Sequence, residues 1–339
     1  PSALLVLSIL KGESSISLWQ FFERLEPGSL THTWVGFWYL LAGPTAFVSA
    51  IALLILKFVT GLAISEMFRE MLGWFDLPVD GRIYLAATIF YLVPTVTFHT
   101  IVFYKEAMVH LAFAVTLLSV FRLLKSHQFG IVILLLLSLF AILIERFYLA
   151  ATLLPVLFFV IWETLRRRNV LTAALIVGAM LWVVSIYGWE SYSFGDLVAK
   201  IKQQRDYHAS FSDVSFKYNY EIPYFVALVK ALFTPIWSPD KVGLFPGLST
   251  LITWGTFIHY FVVLIYLAGC YRLARRGNAV QVLLFQLPLI LFLIFAAYIS
   301  PWAGRVRDSY YPLIAVFAAI YVGYMMQHDL ARLRARFTE

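Results

Sequence analysis

The chain has 339 residues, of which 61% are hydrophobic and 17% aromatic, while only 13% carry charge. Soluble domains average about 25% charged residues, so a soluble globular class is excluded. The net charge of +7 does not point to nucleic acid, because the basic residues fall in short clusters between apolar runs and form no single patch.

The first ten residues, Pro1–Leu10, are apolar but too few to cross a bilayer, and read as the tail of a span. A cleaved signal peptide is the alternative, without a charged leader or small-residue cleavage site to support it. Residues 11–34 follow as a first outer loop containing Glu13, Glu23 and Glu26. Beyond it, long stretches free of Lys, Arg, Asp and Glu approach the roughly 20 residues that a membrane helix needs. Spans are expected at 35–57, 84–104, 107–124, 130–144, 147–164, 170–188, 251–271, 279–299 and 309–327. The fold class is therefore all-α, a single polytopic membrane domain over 1–339 with about ten transmembrane helices. Residues 190–250 form a large outer loop, in which Phe194, Leu197, Val198 and Ile201 recur at helical spacing beside Lys200, Lys202 and Arg205. That pattern predicts an interfacial helix.

Charge sets the orientation. Alternate loops carry Arg69 and Arg82, then Arg122 and Lys125, then Arg166, Arg167 and Arg168, then Arg272, Arg275 and Arg276, with Arg332, Arg334 and Arg336 in the tail. The opposite loops hold about half as many basic residues, so the C-terminus is assigned to the cytoplasm. Two outer turns are tight and carry an acid beside a base, Lys105-Glu106 and Glu145-Arg146. Such pairs either mark the water interface or line a polar cavity open to the outer face.

Nucleotide-binding glycine loops, a zinc-binding His-Glu-x-x-His and a Cys-x-x-Cys pair are all missing from the sequence. Cys270 is the lone cysteine, which excludes an intrachain disulfide. The residues that can carry chemistry cluster at the outer boundary. Arg305 and Arg307 offer two guanidinium groups to a phosphate or diphosphate, with Asp308 and Tyr310 following them. Lys105 and Arg146 add point charges, with Glu106 beside the first. The plain alternative is that these bases meet lipid headgroups or pair with Asp308, Glu106 and Glu145. Glu13 and Glu23 are candidate general bases, since inverting glycosyl transfer needs a carboxylate to deprotonate the attacking hydroxyl. His99 and His110 lack a convincing third ligand, so no metal site is expected.

The strings FWYLLAGPTAFVSAIALLI (37–55), PTVTFHTIVFYKE (94–106), LIERFYLAATLLP (143–155) and GRVRDSYYPLIAVFAAIYVGY (304–324) carry a resemblance to a known family. In their order the chain resembles bacterial polytopic glycosyltransferases of the GT-C superfamily. The resemblance implies a membrane enzyme in cell-envelope glycan assembly that takes a sugar from a polyprenyl-phosphate lipid donor at the outer face of the bacterial inner membrane. It implies a glycan or lipid-linked acceptor, membrane lipids as surroundings and no nucleic-acid partner. No cofactor is called for, and a divalent metal is left open. Family members place an essential acid, usually Asp, in the first outer loop, where this chain has Glu13, Glu23 and Glu26. Arg305 and Arg307 would then hold the lipid-linked phosphate. The Lys105-Glu106 turn and LFTPIWSP (232–239) also look like polysaccharide repeat-unit polymerases. A lipid-linked glycan flippase or transporter and a non-catalytic accessory subunit are readings from other classes.

Overall fold

A computed structural model of the chain describes residues 2–14, 29–75, 77, 84–93, 97, 105–126, 128–167, 170, 172–178, 229, 232–233, 246–299 and 308–326. Among these residues the structure is helical, without strands. Nine α-helices organise it: α1 (Ser2–Leu10), α2 (Ser29–Ala42), α3 (Ala46–Trp74), α4 (Tyr84–Tyr91), α5 (Lys105–Lys125), α6 (Phe129–Arg166), α7 (Pro246–Leu273), α8 (Ala279–Ile299) and α9 (Tyr311–Ile320). Five helices among the described residues are long and apolar enough to cross a membrane.

The expected span 35–57 is not one helix. Gly43, at φ 86°, ends α2, and Thr45 caps α3 by accepting a hydrogen bond from the Val48 amide at 3.2 Å. Glycine supplies a left-handed conformation that other residues resist, and Pro44 cannot continue the α2 ladder. The apolar run is thus divided between two helices, and α3 carries on 17 residues past Lys57 to Trp74. Expected span 84–104 is also interrupted, since α4 stops at Tyr91 and Leu92 and Val93 leave the helix ahead of Pro94. Helix α2 begins at Ser29, within the segment expected to be the first outer loop. The expected span 170–188 and the loop 190–250 lie largely outside the described residues.

Two expected turns are present. Within α6, Arg146 has non-helical φ and ψ of −155° and 84°, dividing it into apolar segments 129–146 and 149–166. The first segment runs antiparallel to α5, because Glu106 meets Arg146 at one end and Thr116 meets Ser138 further in. The second folds back beside it. Tyr310 sits 5.2 Å from the Phe113 ring and bonds Thr152 at 2.7 Å. A straight α6 would instead carry Thr152 about 9 Å beyond Arg146 and away from Phe113, at 1.5 Å per residue. The second turn falls at Gly277, φ 94°, between α7 and α8, where Arg275 and Arg276 are exposed.

Helix α9 is the centre of the bundle. All ten of its residues are fully buried, and it packs against α3, α4, α5 and α7. Gly269 of α7 permits the closest approach, since a Cβ there would collide with the Phe317 carbonyl oxygen. Outward, Phe47, Phe58, Leu62, Phe158, Trp162 and Phe261 are exposed, as expected of helices whose surroundings are hydrocarbon.

Candidate functional site at one end of the bundle

Helix α5 carries charge at both ends, with Glu106 in its first turn and Arg122 and Lys125 in its last, an order that complements the helix dipole. About 24 Å separates Glu106 from Arg122 at 1.5 Å per residue, close to the thickness of a hydrocarbon core. Around Arg122 the network is open to solvent. Glu66 pairs with Arg69 at 2.5 Å and Arg122 at 3.1 Å, and Glu70 pairs with Lys125 at 2.6 Å.

The opposite end is buried. Glu106, His110 and Phe113 follow one another at helical spacing along one face of α5. Glu106 forms an ion pair with Arg146 at the α6 turn, with side-chain exposures of 0% and 4%. The Tyr91 hydroxyl shares a 3.0 Å hydrogen bond with His110 Nδ1. Phe113 meets the Tyr310 ring edge-on, and Phe292 of α8 stacks on that ring at 4.9 Å. Glu145, next to the turn, accepts a 2.9 Å hydrogen bond from the Thr31 amide in the first turn of α2. That bond satisfies one of the amide donors a helix start leaves unpaired.

Asp308 opens a short 3₁₀ turn, Asp308–Tyr310, at the foot of α9, and is fully buried. Lys57 was not among the expected site residues, because in the hydropathy pattern it marks the edge of a span. In the structure it is 2% exposed within α3, its Nζ lying 3.9 Å from the Tyr91 ring centroid. The signal that could have found it is the apolar sequence on both of its sides, since a lysine inside such a run needs a partner within the bundle.

Thus Glu106, Arg146, Asp308 and Tyr310 are gathered at one end. Lys105 begins α5 at that same end. Glu13 is exposed, following a C-terminal cap of α1 in which Gly12 takes φ 73° and the Glu13 amide donates to the Ser8 carbonyl at 2.8 Å. Glu23, Arg305 and Arg307 lie outside the described residues. Among the described residues, no three His, Cys, Asp or Glu side chains converge as a metal site would need.

An apolar groove of about 530 Å³ opens beside the charged end, lined by Leu30, Thr33, Trp34, Phe37 and Met108. Its place follows from the chain: Leu30 and Thr33 flank Thr31, which Glu145 holds, and Met108 is two residues from Glu106. Trp34 is fixed by donating from its indole to the Ala52 carbonyl at 2.8 Å.

These features define a multi-pass α-helical membrane protein with a buried ionic centre at one end of its bundle. No family model, curated protein or solved structure matches the chain.

Proposed function

We propose that the chain is a membrane glycosyltransferase that uses a polyprenyl-phosphate-linked sugar at the outer face of a bacterial inner membrane. The observation that carries this reading is the adjacency of the buried Glu106–Arg146 ion pair to an open, apolar groove. A ligand with an anionic head and a long hydrocarbon tail has those two needs together. Arg305 and Arg307 precede Asp308 in sequence and supply guanidinium groups for the departing lipid phosphate. Glu13, exposed and at a helix end, is the proposed base, with Glu23 as the second candidate from the same segment. The reaction is displacement at an anomeric carbon: the acceptor oxygen forms the new bond, the lipid phosphate leaves with the electron pair, and the glutamate carboxylate takes the hydroxyl proton. The basic end at Arg69, Arg122 and Lys125 faces the cytoplasm in this orientation, which places the C-terminal tail there too.

The test is sugar turnover by purified protein in nanodiscs supplied with a panel of polyprenyl-phosphate sugars, for wild type, Arg305→Ala and Glu13→Ala. Turnover in wild type that both variants lose, with folding intact, is the expected result. Absence of transfer with every donor sinks the reading. The buried Lys57 favours one second reading, a lipid-linked glycan flippase, because charges inside membrane helices mark substrate paths. Movement of a fluorescent polyprenyl-phosphate lipid between leaflets without turnover would establish that reading instead.

A further inference from the structure

Three groups of basic residues gather at the end of the bundle opposite Glu106, and two of them are answered by acids. Glu66 and Glu70 meet Arg69, Arg122 and Lys125, and Glu163 meets Arg166 and Arg167 at 3.6 and 3.1 Å. The third group, Arg272, Arg275 and Arg276, stands where α7 turns into α8. It lies at the same end, because Phe285 of α8 packs its ring 4.5 Å from that of Phe121, the neighbour of Arg122. The sequence holds neither Asp nor Glu between Asp240 and Asp308. All three arginines are exposed, and among the described residues neither Arg275 nor Arg276 forms an ion pair.

Arginines three and four residues apart repel one another, and an anion shared between them relieves that repulsion. The rest of α7 indicates what kind of anion fits. Phe261, Leu264 and Tyr271 are exposed and, with Arg275, recur at the spacing of one helix face. From Phe261 to Tyr271 this apolar stripe covers about 15 Å at 1.5 Å per residue, half of a roughly 30 Å hydrocarbon core and so the depth of one leaflet. Arg275 is held at its head. The guanidinium donates to the Tyr271 hydroxyl at 3.3 Å, and its central carbon lies 5.7 Å from the Tyr271 ring centroid.

We infer that the α7–α8 turn is a binding site for a phospholipid of net negative charge, with its phosphate on Arg272, Arg275 and Arg276 and an acyl chain along Phe261 and Leu264. A free phosphate would answer the guanidinium groups and make no use of the stripe. A zwitterionic lipid would cover the stripe but bring a cation of its own toward the arginines. A net-anionic lipid meets both needs, and its phosphate accepts paired hydrogen bonds from a guanidinium fork. The site lies at the far end of the bundle from the Glu106–Arg146 pair and holds whichever reaction the chain performs.

The experiment is native mass spectrometry of the full chain released from neutral detergent, titrated with anionic phosphatidylglycerol and, separately, with zwitterionic phosphatidylcholine. Wild type is expected to bind its first phosphatidylglycerol at least about ten-fold more tightly than phosphatidylcholine, and Arg275→Gln/Arg276→Gln to lose roughly five-fold of that preference per arginine. Arg166→Gln/Arg167→Gln removes the same charge where Glu163 already answers it, and keeps the preference. Glycerophosphoglycerol, the headgroup without its chains, and inorganic phosphate at large excess displace less than half of the bound lipid. The site is overturned if wild type binds both lipids equally, or if the control pair costs as much as the turn pair. Displacement of half or more by either chain-free anion also overturns it, since the turn would then be a plain phosphate site. Should the turn double variant fail to fold, Arg276→Gln alone decides, with one five-fold loss expected and an unchanged preference overturning the site.

Discussion

Arg146 stands at the point where α6 turns back, and its guanidinium closes on the carboxylate of Glu106 in the first turn of α5. One ion pair therefore ties a helix start to a chain reversal, with both side chains almost wholly out of solvent. The backbone at Arg146 is non-helical, and its side chain reaches α5 from this break in α6.

Removing one partner takes this ion pair away from a charge that stays buried. Arg146→Ala and Glu106→Ala should each destabilise the protein by about 3–5 kcal/mol. Replacing both, as in Arg146→Met/Glu106→Leu, should cost markedly less than the sum, since apolar groups of similar volume leave no charge stranded. Denaturant unfolding of the reconstituted chain measures the cycle, and additive losses would show that the pair is not coupled.

The all-helical membrane class, the turn at Glu145-Arg146 and the break between the expected spans 251–271 and 279–299 were legible in the sequence, because charged residues interrupt apolar runs. Two span boundaries were not. Composition cannot separate one long helix from two short ones, so the break after Ala42 was hidden inside an apolar run. Proline alone did not reveal it either: Pro155 and Pro288 lie inside α6 and α8, whereas Gly43-Pro44 divides α2 from α3. Lys57 looked like a boundary because hydropathy counts its charge and not the Tyr91 ring and carbonyl that accommodate it. The apolar groove was likewise invisible, since its lining comes from α2 and α5, which are far apart in sequence.

The opposite end of α5 should respond to salt. Glu70 pairs with Lys125 and Arg122, whose side chains are 45% and 34% exposed. Glu70→Gln is expected to cost about 1 kcal/mol or less at low ionic strength, and less still in high salt, because exposed pairs are screened. Unfolding of wild type and Glu70→Gln across a salt series tests this. The Arg146→Ala penalty should stay nearly constant over the same series, since its pair is buried.

Glu145 should control the order of α2. Its carboxylate accepts from the Thr31 amide, which is otherwise an unpaired donor at a helix start. Glu145→Ala should therefore speed hydrogen exchange at 30–33 by roughly five- to thirty-fold, the equivalent of about 1–2 kcal/mol for a lost cap. Exchange in α8 should be unchanged. Equal acceleration in both regions would mean that the variant loosens the whole bundle and that Glu145 has no particular hold on α2.

Close approach of α7 to the central helix depends on Gly269. A Cβ at this position would meet the Phe317 carbonyl oxygen and carbon, which are backbone atoms and cannot rotate aside. Gly269→Ala should therefore destabilise the protein by about 1–3 kcal/mol, the usual cost of overpacking, despite alanine's greater helix propensity. Gly130 is the matched control, since a Cβ there meets nothing within 4 Å near the start of α6. Gly130→Ala should be neutral or stabilising by up to about 1 kcal/mol. Comparison of the two variants by denaturant unfolding separates packing from propensity. If Gly269→Ala were as stable as Gly130→Ala, α7 and α9 would have to separate without loss, contrary to the full burial of α9.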